Sequence, residues 1–216
     1  MILALNTAQR EHEMALLNGD EILAEEKWVS SRDDVETLVP RLEAMLEGLG
    51  LDKSEIHDIV VVNGPGPYTA VRMGVSFANA LSEGLQAQLH SISTFELMVK
   101  KLATTDKVLA LLFAGGLDAA VYHEGDVQLG SLSTILAKHS HGDTKVVAEL
   151  NEVQSVELHS ICLEKGWQEV EGHELSSMAE VLLTFGLKAA QAVDLADAQY
   201  LRSPKITQSA NPWKKP

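Results

Sequence analysis

The stretch Asn63-Gly64-Pro65-Gly66-Pro67-Tyr68-Thr69-Ala70-Val71-Arg72-Met73-Gly74 holds the residues best able to do chemistry. It follows the apolar β-branched run Ile59 to Val62 and opens a segment of helical character. That places it at a strand-to-helix turn, where backbone amides often face an anion. The amides of Gly64, Gly66 and residues 68–70, the Thr69 hydroxyl and the Arg72 guanidinium could together cradle a phosphate. Pro65 and Pro67 have no N–H, so two donors are missing from such a cradle. The same residues also make a rigid turn that sets the angle of the next helix, with glycine supplying unusual dihedrals and proline stiffness. Both readings stay open at this point.

The elements that would position this loop can be read from periodicity. Met1 to Thr7, His12 to Leu17 and Glu21 to Val29 read as three strands, the last two joined by the hairpin signal Asn18-Gly19-Asp20. Ser31 is the candidate N-cap of a helix in which Val35, Leu38, Val39, Leu42, Met45, Leu46 and Leu49 recur at helical spacing, with Pro40 expected to bend it. A strand at Asp58 to Val62, a helix from Thr69 to Leu85, a strand at Gln88 to Ile92 and a helix capped by Ser93 and Glu96 complete the first half. The second half repeats this order loosely. Strands are expected at Val108 to Ala114, Ala119 to Tyr122, Val127 to Leu129, Val146 to Ala148 and Trp167 to Val170, with helices from Ser131, from Gln154 and from Leu175 to about Val193. The order predicts an α/β chain of two ribonuclease-H-like lobes, each a mixed sheet flanked by helices, spanning 1–105 and 106–200, with a basic tail at 201–216.

Composition narrows the function classes. The chain has 216 residues, 45% of them hydrophobic, and a net charge of −14. Four basic residues and no acid lie in 201–216, so the first 200 residues carry −18. A body this acidic repels phosphate backbones, which argues against autonomous nucleic-acid binding, although the tail with Trp213 could touch RNA or an acidic partner. No apolar run approaches a membrane span and the N-terminus has no basic region or cleavage pattern, so a cytoplasmic protein is expected. Cys162 is the only cysteine, which excludes an internal disulfide and thiolate-rich zinc. The eight histidines suggest no metal site: His139 and His141 are two apart and would point to different faces of a helix. No Ser-His-Asp arrangement can be read, and no cofactor is expected.

The helix from Thr69 to Leu85 is the most suggestive surface. Ala70, Gly74, Ala78 and Ser82 recur every fourth residue, while Val71, Met73, Val75, Phe77 and Leu81 make the rest largely apolar. One buried face needs only about 100° of arc, so the excess predicts a second contact. Small residues allow another helix to approach closely, and Val35, Leu38, Leu42 and Met45 of the preceding helix could complete a four-helix interface with Ala70, Val71, Gly74, Val75, Ala78 and Ser82. The alternative is a helix sandwiched within its own lobe.

Several motifs resemble the TsaB (YeaZ-like) family: Asn6-Thr7-Ala8, Leu38-Val39-Pro40, the Gly64 to Gly74 loop, Ser91-Ile92-Ser93-Thr94-Phe95 and Tyr200-Leu201-Arg202. The resemblance is good over 1–105, weak over 106–195, and returns at the end. It implies an actin-like ATPase fold and a non-catalytic subunit in threonylcarbamoyladenosine modification of tRNA. Such a subunit dimerises with a TsaD-type catalytic subunit, with a TsaE-type ATPase joining the assembly. It also implies that Asn6 stands where the family carries Asp, and that Pro67 and Ala70 replace Ser and Gly. A neutral amide is a poor magnesium anchor, so Asn6, Thr7, Gly64, Gly66, Thr69 and Arg72 are expected to form a degenerate phosphate loop. The rival expectations are a nucleotide-dependent enzyme of the same fold and a self-associating regulatory homodimer.

Overall fold

The computed structural model describes residues 1–29, 34–140 and 142–202, and the side chains of 34 and 35 are outside that description. The first half of the chain forms, in order, β1 (Ile2–Asn6), β2 (Glu11–Asn18), β3 (Glu21–Val29), α1 (Asp34–Leu49), β4 (Asp58–Val62), α2 (Tyr68–Leu85), β5 (Gln88–Ile92) and α3 (Thr94–Lys101). The second half continues with β6 (Lys107–Phe113), β7 (Asp118–His123), β8 (Asp126–Ser131), α4 (Leu132–Leu136), β9 (Thr144–Glu149), α5 (Glu152–Lys165), β10 (Gln168–Glu169), α6 (Met178–Phe185) and β11 (Gln191–Val193).

The two sheets share one plan. In the first the strand order is β11-β5-β4-β1-β2-β3, and in the second β10-β9-β6-β7-β8. Each begins with a three-stranded antiparallel meander, β1-β2-β3 or β6-β7-β8, whose first strand then takes a parallel neighbour, β4 or β9. A second parallel strand, β5 or β10, follows. This is the arrangement of two similar mixed sheets flanked by helices expected from the element order.

Local chemistry explains why the elements stop and start where they do. The β1 and β4 runs Leu3 to Leu5 and Ile59 to Val62 are wholly buried, as central strands covered on both faces should be. Ser93 and Glu96 form the expected capping box of α3, the hydroxyl accepting from Glu96 N at 3.2 Å and the carboxylate accepting from Ser93 N at 3.1 Å. Helix α1 runs through Pro40 without interruption. It is fastened to β3 by Arg41, which pairs with Glu26 and lies 4.4 Å from the centre of the Trp28 ring. The expected cap Ser31 lies outside the described residues.

The end of the chain differs from the expected reading. Instead of one helix from Leu175 to Val193, α6 begins behind a Ser177–Glu180 capping box and stops at Gly186, whose φ of +61° and ψ of −163° leave the helical region. A short 3-10 turn at Gly186–Ala189 then leads into β11, which pairs antiparallel with β5 through Gln191↔Ser91 and Val193↔Leu89. Apolar residues continue at helical spacing past Gly186, which conceals the break. Met178, Ala179, Val181 and Leu182 are buried in the core of the first lobe, so the segment assigned to the second lobe returns to the first.

No helix among the described residues is long and apolar enough to cross a membrane. Cys162 is buried on α5 beside Trp167 and Leu158, and burial, with the Glu169 carboxylate adding to it, pushes its thiol up to about 11. The thiolate is therefore scarce at pH 8. A disulfide thiol reagent at that pH should leave the native protein unmodified and titrate one thiol per chain after denaturation.

Candidate functional site at the junction of the lobes

The turn that follows β1 is held from within. Asn6 is fully buried, and its Oδ1 accepts from Ala8 N at 3.1 Å, closing an Asx turn. Its Nδ2 donates to Gln9 Oε1 and to Glu13 Oε2, both at 3.0 Å. Glu13 lies directly opposite on β2 and is only 2% exposed. A buried carboxylate must be compensated, and Glu13 accepts from Lys101 Nζ at 2.6 Å and from the backbone N–H of Met178 at 3.3 Å. Strands β1 and β2, the end of α3 and the start of α6 thus meet on one carboxylate.

The same turn reaches the second lobe. Gln9 Nε2 donates to Glu149 Oε2 at 3.2 Å, and the backbone N–H of Arg10 donates to Glu149 Oε1 at 2.6 Å. Burial pushes the Glu149 carboxyl up, opposed by these two donors and by the charges of Lys101 and Arg10. Glu149 closes β9, in a stretch whose sequence gives no sign of the role.

The Gly-Pro loop packs on this turn at distances that exclude side chains. Thr7 Oγ1 donates to Ala70 O at 2.8 Å. A Cβ on Gly74 would stand 2.1 Å from Thr7 Oγ1, one on Gly66 2.0 Å from Ala8 O, and one on Gly64 2.4 Å from Gln199 O. Gly64 also has φ of +101°, and its peptide bond to Pro65 is cis. Those glycines are therefore needed for internal contact, as the turn reading expects. Asn6 and Thr7 spend their polar atoms inside the protein, whereas Thr69 and Arg72 are exposed. The two parts of the expected degenerate phosphate loop thus lie against each other but differ in exposure.

The residues expected at a partner interface divide in two. Leu38, Leu42, Val71, Gly74, Val75 and Ala78 are buried in the first lobe's own core. The expectation that they meet a partner is corrected: α2 covers β4, β5 and β1, and its small residues let it approach that sheet and the Thr7 turn closely. Met45, Ala70 and Ser82 are half-buried, with Ser82 Oγ donating to Ala87 O at 2.7 Å. Val35 lies outside the described side chains. The outward face of α2 is instead formed by Thr69, Arg72, Ser76, Ala80 and Glu83, flanked by half-buried Met73 and Phe77.

Two sequence motifs far apart in the chain meet at this junction. Tyr68 of the Gly-Pro loop stacks on Tyr200, with ring centroids 4.7 Å apart and planes tilted by 33°. Arg72 Nη1 donates to Tyr68 Oη at 3.1 Å, and Arg202 pairs with Asp118 of the second lobe. Tyr68, Tyr200 and Arg202 border a cleft of about 780 Å³ whose walls include Ala8, Arg10, Phe113, Leu150 and Leu201. A smaller cavity of about 340 Å³ opens beside the Glu13–Lys101 pair. Among the described residues no three His, Cys, Asp or Glu side chains are grouped to hold a metal ion.

With this geometry in place, known proteins can be compared. The family described as TsaD, tRNA N6-adenosine threonylcarbamoyltransferase, matches residues 25–204. The chain belongs to this family, as a TsaB/YeaZ-like member. Among curated relatives, the tRNA threonylcarbamoyladenosine biosynthesis protein TsaB of Bacillus subtilis is 28% identical over 112 residues, covering 52% of this chain and 49% of the relative. The TsaB protein of Escherichia coli is 27% identical over 99 residues, 46% of this chain and 42% of the relative. The matched region thus spans about half the length of these curated TsaB relatives. The solved structure of YeaZ from Pseudomonas aeruginosa superposes with a TM-score of 0.67 at 17% identity, covering 93% of this chain and 99% of that one, which establishes a shared fold.

The tight contact between TsaB-type loop and turn is testable. Gly74→Ala should destabilise the protein by about 1–3 kcal/mol in urea denaturation, because the added methyl overpacks against Thr7. Thr7→Ala removes the obstructing atoms, so the double variant should be more stable than the sum of the two single effects implies. Simple additivity would show that the two residues do not collide.

Proposed function

We propose that the chain is a non-catalytic scaffold and activator subunit for tRNA N6-threonylcarbamoyladenosine modification, dimerising with a TsaD-type catalytic subunit in the cytoplasm. A TsaE-type ATPase joins the assembly, and the chain forms a homodimer when alone. The observation that carries this reading is Asn6. Its neutral amide sits at the end of β1, hydrogen-bonded to Ala8, Gln9 and Glu13, and has no charge to lend to metal-bound phosphate. The names of the curated relatives point to the modification pathway. The rival reading, a nucleotide-dependent enzyme, needs Asn6 and Thr7 to face a ligand, and both face the protein interior.

The partner surface in this proposal is the outward face of α2, from Thr69 through Arg72, Ser76 and Ala80, with Met73 and Phe77 beside it. Ser76 and Ala80 are small, so a partner helix can come close there. Co-purification with a TsaD-type subunit tests this directly. Ser76→Arg and Ala80→Arg should cut recovery of the complex by about tenfold or more with the chain still folded, while Val156→Arg on exposed α5 should leave it unchanged. Recovery equal to wild type for Ser76→Arg and Ala80→Arg would overturn the assignment of this face. Substitutions at Gly74 or Ala78 would report on folding instead, because both positions are buried.

A further inference from the structure

We propose that the cleft bordered by Tyr68, Tyr200, Arg10 and Arg202 is a contact site for unpaired RNA, taking one or two nucleotides of a single strand. The chain has five arginines; two of them, Arg10 and Arg202, line this cleft on an otherwise acidic protein, and a third, Arg72, is bonded to Tyr68 of its wall. Arg10 is exposed and has no ion-pair partner among the described residues. Arg202 is also exposed and is paired with Asp118, and the exposed Arg72 is bonded to the Tyr68 hydroxyl. Guanidinium groups suit phosphate because they offer paired donors in one plane.

Aromatic rings provide the second element. Tyr68 is 42% exposed although it stacks on Tyr200, and Phe113 on the opposite wall is 45% exposed. Rings left open to solvent beside arginines form the platform that single strands use, since every base has a face that stacks. Leu112, Leu150 and Leu201 supply an apolar floor, and the volume of about 780 Å³ accommodates a base with its sugar. A duplex would not fit, because its bases are already stacked on each other. Asp118 and Glu149 are the carboxylates at the cleft. Asp118 is paired with Arg202, and Glu149 is held by Gln9 and the Arg10 amide. The acidic body weakens long-range attraction, so the contact acts at short range and at low salt.

That the strand is RNA rests on the proposed role in tRNA modification; that the cleft binds a stacked anion rests on its own residues. The test is fluorescence anisotropy of the full chain with a labelled single-stranded RNA octamer at about 50 mM salt, with ultraviolet crosslinking to map the contact. Saturable binding is expected, with log K falling against log salt at a slope of about −1.4, as two neutralised phosphates of a single strand require. Arg10→Gln and Arg202→Gln should each reduce that slope by about 0.7. Tyr68→Ala should weaken binding by about tenfold. Lys138→Gln, outside the cleft, should change the affinity by less than about twofold. Crosslinks should fall on Tyr68, Phe113 or Tyr200.

Absence of binding, crosslinks elsewhere, or equal losses in Lys138→Gln and Arg10→Gln would overturn the proposal. Adenosine monophosphate competing as well as the octamer would identify a mononucleotide site instead, and an acidic peptide displacing the RNA at equal concentration would identify a protein-docking cleft. Either result also overturns it. Co-purification of Arg10→Gln with the catalytic subunit separates this inference from the scaffold proposal. Binding to that partner should be unchanged whether or not RNA binding is lost.

Discussion

A carboxylate taken out of water costs several kcal/mol unless its charge and lone pairs are met, and the first lobe is organised around meeting that cost at Glu13. Lys101 brings the end of α3 to it, the Met178 amide brings the start of α6, and Asn6 brings the turn after β1. Through Gln9 and Arg10 the same turn reaches Glu149 and therefore the second sheet. One buried group thus connects residues 6, 13, 101, 149 and 178, which no local pattern would join. Replacing Glu13 alone would strand Lys101 in the interior, so the group fixes the relation between elements as well as contributing to stability.

That arrangement also bears on what the protein can do. Atoms at the head of a parallel strand are well placed to bind ligand, but here they are consumed by internal bonds. Asn6 uses both its amide donor and its acceptor, and Thr7 gives its hydroxyl to Ala70. The glycines that look like a phosphate cradle are needed to let the loop lie on the turn. What remains exposed is the outward face of α2 and the rim of the cleft between Tyr68 and Arg202.

Much of the fold could be read from the chain because local signals and tertiary packing agree. Strands β4 and β5 lie where their β-branched and apolar runs place them, and the capping box at Ser93 starts α3 where expected. The C-terminal segment could not be read this way. Helical periodicity persists across Gly186, and pairing of β11 with β5, a hundred residues earlier, is a long-range event that leaves no local trace. The candidate site was legible only in its motifs. Tyr68 and Tyr200 each stand in a recognisable segment, but their stacking follows from the chain returning to the first lobe. Apolar composition marked α2 as unusual without saying which face is inside. Buried helices and interface helices look alike in sequence, and burial of Val71, Val75 and Ala78 separates the two. Glu149, an acid at the end of a short strand, resembles any solvated terminus until the partner lobe is placed against it.

On the scaffold reading proposed above, the polar groups at the head of the first lobe serve the fold and the chain works by contact rather than by bond chemistry. Isothermal titration of the purified chain with magnesium and ATP, followed by assay of phosphate release, tests it most directly. The account predicts no saturable heat up to about 1 mM nucleotide, an affinity limit of about 4 kcal/mol, and no phosphate release above buffer. Saturable binding with turnover, lost on replacing Thr7 or Arg72, would contradict it.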